Sequence, residues 1–138
     1  MGATKIPVTV EDPLGRPIDT TFGYHQPTRT AILDSATSVG LARLSAQERN
    51  PMHTSTFGLG EMIREAATLN PNKIIIGLGG SATCDGGMGM AHALGWAFLD
   101  QSGNKLPHTG QHLQDIHTIQ PPDHNPLPDY STYINRKT

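Results

Sequence analysis

Apolar residues alternate with polar ones from Lys5 to Glu11 (Ile6, Val8, Val10) and again from Ile18 to Tyr24 (Ile18, Thr20, Phe22, Tyr24), with Pro13-Leu14-Gly15-Arg16-Pro17 between the two runs. A period of two on each side of a Pro/Gly turn predicts a β-hairpin. The run Thr30-Ala31-Ile32-Leu33 predicts a third strand, giving an antiparallel meander with one face on a core. Asp34 or Ser35 is placed to cap a short helix running to about Leu44, with Ala36, Val39, Ala42 and Leu44 turned inward. Proline 51 ends the next stretch as a loop.

Beyond it the period changes. From about Phe57 to Leu69, Leu59, Met62, Ile63, Ala66 and Ala67 fall on one helical stripe, opposed by Glu61, Arg64, Glu65 and Thr68. Lys73-Ile74-Ile75-Ile76 is an unbroken β-branched run of the kind found in a strand covered on both faces. A glycine-rich loop follows, then a helix over about Met88 to Leu94 closed by Gly95, and a strand over Trp96 to Asp100. The predicted fold class is therefore mixed α/β, a meander followed by helices and a βαβ unit spanning Lys73 to Asp100. One further helical turn is expected around Gln111 to Ile116. The organisation expected is a folded segment over residues 1–120 and an extended or disordered tail over 121–138, where prolines and polar residues dominate.

Composition narrows the partners. The 138 residues suit one domain, and ten basic against twelve acidic side chains give a net charge of -2, without the clustered positive surface that nucleic acid or an anionic membrane requires. The single cysteine, Cys84, cannot form an intrachain disulfide, and no segment approaches the ~20 apolar residues of a membrane helix. The expected location is the cytoplasm.

The densest chemical signal is Gly77-Leu78-Gly79-Gly80-Ser81-Ala82-Thr83-Cys84-Asp85-Gly86-Gly87, between an apolar strand and a helix. Glycines let the backbone approach a ligand closely and leave N–H groups to receive phosphate or carboxylate. The competing structural reading is a tight turn in which Asp85 or Ser81 is only a cap. No Lys-Ser or Lys-Thr pair follows the glycines, so the loop is not a Walker A loop. Gly77 to Ala82 does fit a dinucleotide fingerprint, with Asp100 about 20 residues on, but Thr83 to Gly87 prolong the loop before any helix can begin. His108, His112 and His117 read as solvated side chains, and Glu61 and Glu65 as part of a polar stripe.

At these residues the chain resembles a known family. The string IIIGLGGSATCDGGMGMAHALGWAFLD, from Ile74 to Asp100, resembles the signature of glycerate kinases of the first structural family. Asp12-Pro13-Leu14-Gly15-Arg16-Pro17, Gly40-Leu41, Arg49-Asn50-Pro51, and Phe57-Gly58 with Gly60-Glu61 match in the same order, so the resemblance covers roughly residues 6 to 119. Cys84 stands where asparagine is more usual in that family, and Leu59 where threonine is common.

The resemblance implies part of a larger two-domain kinase that transfers the γ-phosphoryl group of ATP, with Mg²⁺, to glycerate. By the same resemblance Gly79, Gly80, Ser81, Thr83, Gly86 and Gly87 would bind substrate or phosphate, and Asp85 would act as catalytic base or metal-linked carboxylate; the metal ligands themselves stay unknown. The upstream and downstream segments of the family are not recognisable, so the chain alone is expected to be inactive, working with the remaining segments or as a homodimer. The alternatives are a small-molecule-binding or dimerising module without turnover, and an NAD-binding dehydrogenase domain.

Overall fold

The computed structural model describes residues 2–127 and 131–136. Strands β1 (Thr4–Glu11), β2 (Pro17–His25) and β3 (Thr30–Asp34) form the expected antiparallel meander. The alternation sets its register: Ile6 faces Phe22, Val8 faces Thr20 and Val10 faces Ile18, so the apolar sets share one face and bury together. The hairpin turn is built by Asp12, which is 3% exposed. Its Oδ1 accepts from the backbone of Leu14 (2.8 Å) and Arg16 (3.0 Å), and its Oδ2 pairs with Arg16 Nε at 2.6 Å.

Helix α1 (Ser35–Val39) begins at Asp34, whose Oδ1 accepts from Ala36 N at 3.1 Å. It stops at Gly40 instead of running to Leu44, and only a 3₁₀ turn, Leu41–Arg43, follows. The reason is competition. Leu41 N donates to Gly80 O and Ala82 N to Val39 O, both at 2.8 Å, so groups that would continue the helix are taken by the glycine loop. Ala42, left on the 3₁₀ turn, is exposed. A β-carbon at position 40 would lie 2.3 Å from Ala36 O, which restricts that position to glycine.

Helix α2 (Phe57–Thr68) turns Leu59, Met62, Ile63 and Ala66 onto the sheet. Strand β4 (Lys73–Leu78) then pairs in parallel with β3, Ile32 opposite Ile75, so a parallel crossover runs from β3 through α1 and α2 to β4. The core combines Phe22, Tyr24, Leu33, Val39, Met62, Ile74 and Ile76. Beyond β4, helix α3 (Met88–Ala93) and strand β5 (Ala97–Leu99) follow in the expected order. The unit over Lys73 to Asp100 is nevertheless not a crossover within one sheet. Strand β5 pairs antiparallel with β6 (Thr118–Gln120) in a separate two-stranded sheet.

The segment expected to be extended or disordered contributes β7 (Ser131–Arg136), parallel to the other edge of β4 with Ile75 opposite Tyr133. Residues 128–130, 137 and 138 of that expected tail lie outside the described residues. The main sheet order is β1-β2-β3-β4-β7, which makes β4 an interior strand. Among the described residues no helix is long and apolar enough to cross a membrane.

Candidate active site at the glycine loop

Because β3 and β4 are parallel and Asp34 lies opposite Gly77, the end of β3, the start of α1 and the glycine loop meet at one end of the sheet. That end, outside the carboxyl termini of parallel strands, is where open α/β sheets place ligands. Gly79, Gly80 and Ser81 are exposed and Thr83 half-buried, with Ser81 Oγ 2.7 Å from Thr83 Oγ1. Gly80 (φ 65°), Gly86 (φ 61°) and Gly87 (φ 81°) adopt left-handed backbone that side-chain-bearing residues rarely hold. The loop's outer half presents its main chain and two hydroxyls to solvent.

The inner half is fixed by Asp85, 1% exposed. Its Oδ2 accepts from Thr56 N (2.8 Å), Thr56 Oγ1 (2.8 Å) and Gly89 N (2.9 Å), and its Oδ1 from Gly87 N at 3.2 Å. Those donors open α2 and α3, so the carboxylate lies between two helix N-termini and satisfies groups that intrahelical bonding leaves bare. Thr56 Oγ1 also accepts from Met90 N at 2.9 Å, and Thr54 Oγ1 donates to Ala82 O at 2.9 Å. Ser55 N donates to Pro13 O, which joins the hairpin turn to the same place. The separated strings Asp12–Pro17, Phe57–Glu61 and Gly79–Gly87 thus converge. Glu61 takes a scaffold role: its Oε2 accepts from Glu11 N at 2.7 Å.

Sequence reasoning passed over Thr54, Ser55 and Thr56, and it read His108 as solvated. A Thr-Ser-Thr run directly before a periodic apolar segment is a helix-start signal, and it could have found the first three. His108 is not a solvated histidine. It is half-buried, with Nδ1 2.8 Å from Ser55 Oγ and its ring stacked on Phe57 (centroids 4.6 Å) and His92 (4.9 Å). Next to it Gly110 packs so tightly that a β-carbon there would lie 2.5 Å from Pro51 O and 3.2 Å from Cys84 O. The segment after Pro107 is therefore strapped across the loop's base. His112 instead faces Asp115, Nδ1 to Oδ2 at 3.5 Å, and among the described residues no three His, Cys, Asp or Glu side chains are grouped to hold a metal.

Burial, reinforced by His92 alongside, lowers the His108 imidazole below its ordinary 6.5. A histidine held neutral in the folded state contributes stability that is complete above the unfolded value and lost as pH falls from about 6.5 toward the lower folded value. Melting temperature should therefore fall over that acid window, and His108→Phe, which keeps a ring but cannot titrate, should flatten the fall. An identical pH profile in the variant would remove His108 from the account.

The dinucleotide alternative loses its acid. Asp100 Oδ1 accepts from Ser102 N and Asn104 N, both at 2.8 Å, and closes a surface turn.

Comparison with known proteins gives the family. The model of the glycerate kinase family matches residues 1–132. The chain is 42% identical over 110 residues to a glycerate kinase of Bacillus subtilis (strain 168) and 38% identical over 110 residues to a glycerate 2-kinase of Escherichia coli (strain K12). Each match covers 80% of this chain and 29% of the relative. A crystal structure named for a glycerate kinase 2 from Salmonella typhimurium LT2 superposes with a TM-score of 0.82 at 36% identity, over 86% of this chain and 32% of that one. This chain, spanning under a third of those relatives' length, belongs to the glycerate kinase family.

Proposed function

We propose that this chain supplies the phosphate-handling loop of an ATP-dependent glycerate kinase in the cytoplasm, phosphorylating a hydroxyl of glycerate. The observation that carries this reading is the exposed, left-handed glycine backbone at the carboxyl end of β4, backed by the hydrogen-bonded floor at Asp85. Phosphoryl transfer depends mainly on positioning and on donors aimed at developing charge. In this role Gly79, Gly80, Gly86 and Gly87 offer main-chain approach to phosphate or substrate oxygens, and Ser81 and Thr83 offer hydroxyl donors. These donors suit ATP phosphates.

They do not suit Mg²⁺ by themselves. Both Asp85 oxygens already accept N–H or O–H bonds, and no grouped ligand set exists among the described residues. Bound Mg²⁺ neutralises phosphate charge, and its usual partners are substrate phosphates with one or two carboxylates; no step of this chain's chemistry is assigned to it. Burial favours Asp85 as a positioning residue over a catalytic base: the side chain is 1% exposed, Oδ2 is held by three donors, and Oδ1 is turned to Gly87 N inside the loop.

The test is a chimera in which this chain replaces the aligned 110 residues of the Bacillus subtilis relative. Glycerate phosphorylation should be retained, and Ser81→Ala with Thr83→Ala should lower it by roughly tenfold or more, the scale of a lost transition-state donor. The 138-residue chain alone should show no turnover in the same coupled assay. A folded chimera that binds neither ATP nor glycerate would overturn the reading.

A further inference from the structure

Residues 41–53 form a closed surface loop whose two ends both stand on the glycine loop. At one end Leu41 N donates to Gly80 O at 2.8 Å and Gly40 pairs with Ser81 in an isolated antiparallel bridge; at the other, Thr54 Oγ1 donates to Ala82 O at 2.9 Å. Surface loops with adjacent ends are packed by their own side chains, and this one is no exception. Arg43 Nε and Nη2 donate to Thr37 O at 3.2 and 2.6 Å, and Glu48 closes a 3₁₀ turn (Ala46–Glu48) by accepting from Ser45 N at 2.9 Å. The other Glu48 oxygen meets Arg16 Nη1 at 2.7 Å, which ties the loop to the hairpin turn. Past the 3₁₀ turn, Asn50 N donates to Glu48 O at 2.8 Å and Asn50 Oδ1 accepts from Met52 N at 3.1 Å. Arg49 therefore sits on main chain that is fixed on both sides. Its own side chain is exposed and, among the described residues, makes no hydrogen bond or ion pair.

We infer that Arg49 receives an oxyanion of a bound substrate, a carboxylate or a phosphate, at the glycine loop. The inference rests on the phosphoryl-transfer reading above and adds a residue to it. Both substrates of that reaction are anions, whereas residues 77–87 contain no lysine or arginine and carry the Asp85 carboxylate beneath them. Like charge repels, so a cation has to come from a neighbouring segment. The other arginines of this corner are committed, Arg16 to Asp12 and Glu48, and Arg43 to Thr37 O. Lys5 lies on β1, level with Gly23, Ile32 and Ile75 across the sheet, short of the end where Asp34 meets Gly77. Arg49 stands two residues before Pro51, whose carbonyl oxygen is 3.3 Å from the same Thr54 hydroxyl that bonds Ala82 O. Its guanidinium offers a planar fork of donors matched to carboxylate and phosphate oxygens. The fixed backbone reduces the ordering that binding would otherwise require.

The test titrates the 138-residue chain with glycerate and, separately, with ATP, and follows nitrogen–proton correlation spectra of the main chain and of the arginine Nε–H groups. The Nε–H signal missing from Arg49→Gln identifies Arg49. That signal should shift saturably together with the amides of residues 79–83, and Arg49→Gln should weaken binding about tenfold or more, the scale of a lost charge-assisted hydrogen bond. A shift with glycerate assigns the carboxylate, and a shift with ATP alone assigns the phosphates. Arg49→Gln should melt like wild type, since the side chain is exposed and holds no bond. Lys105→Gln, an exposed cation beside the turn that Asp100 closes, should leave affinity unchanged. No shift at Arg49 with either ligand, unchanged affinity in Arg49→Gln, or an equal loss in Lys105→Gln would each overturn the assignment. Binding that depends on Arg49, in a chain whose chimera transfers no phosphoryl group, would sink the functional reading and leave the oxyanion site intact.

Discussion

Asp85→Ala should destabilise this chain by on the order of 3–5 kcal/mol, because it strands buried donors that a charged acceptor now satisfies. Four bonds converge on the carboxylate, from Thr56 N, Thr56 Oγ1, Gly87 N and Gly89 N. For a domain of this size the loss corresponds to a fall in melting temperature of roughly 10–20 °C. Asp85→Asn should be far milder. Its carbonyl oxygen can take the Oδ2 position and keep three donors, leaving only the Gly87 N–H to face an amide, at a cost of about 1–2 kcal/mol. Circular dichroism melts of the two variants decide the stability question.

The same pair separates positioning from proton transfer in the chimera. If Asp85 positions the loop, Asp85→Asn should keep kcat within about threefold; removal of a general base typically costs 10²-fold or more. An asparagine variant that melts like wild type but loses a hundredfold in kcat would restore the catalytic assignment.

What the sequence made legible were the elements with a period. The hairpin and α2 carry a strong repeat of apolar positions, and each forms within a residue or two of expectation. The glycine loop was legible as an exposed stretch of main chain in left-handed conformation because five glycines in eleven residues exceed what a turn needs. What stayed hidden depends on contacts between distant segments. The end of α1 is set by Gly80 and Ala82, some forty residues away, which take the backbone groups of Leu41 and Val39. Strand β6 is three exposed residues whose single apolar side chain, Ile119, is too little to show a period, and β7 pairs along the other edge of β4. Asp85 drew its chemical role from the family resemblance, against a plain capping role from the residues; only the meeting of Thr56 with Gly89 reveals how little of it faces solvent.

Gly58→Ala should lose about 3 kcal/mol or more, opposite in sign to the usual gain of roughly 0.5–1 kcal/mol when alanine replaces glycine inside a helix. The usual gain reflects backbone entropy and presumes room for a methyl group. Here a β-carbon would lie 1.8 Å from Glu11 O and 2.9 Å from Glu11 C, main-chain atoms of β1 that cannot swing aside. Gly60 repeats the constraint against α3, 2.4 Å from Met90 O and 2.6 Å from Ala93 Cβ, and Gly89 against α2, 2.6 Å from Phe57 N. Glycines therefore set the distances of α2 from β1 and from α3, and those distances bring Thr56 and Gly89 within reach of one carboxylate. Gly60→Ala and Gly89→Ala should each cost about 1–3 kcal/mol, with a combined loss smaller than the sum because both push apart the same helix pair. Urea titrations measure all three. A Gly58→Ala chain as stable as wild type would mean that α2 can lift off β1 freely, and the close-packed floor beneath the glycine loop would no longer explain how Asp85 is held.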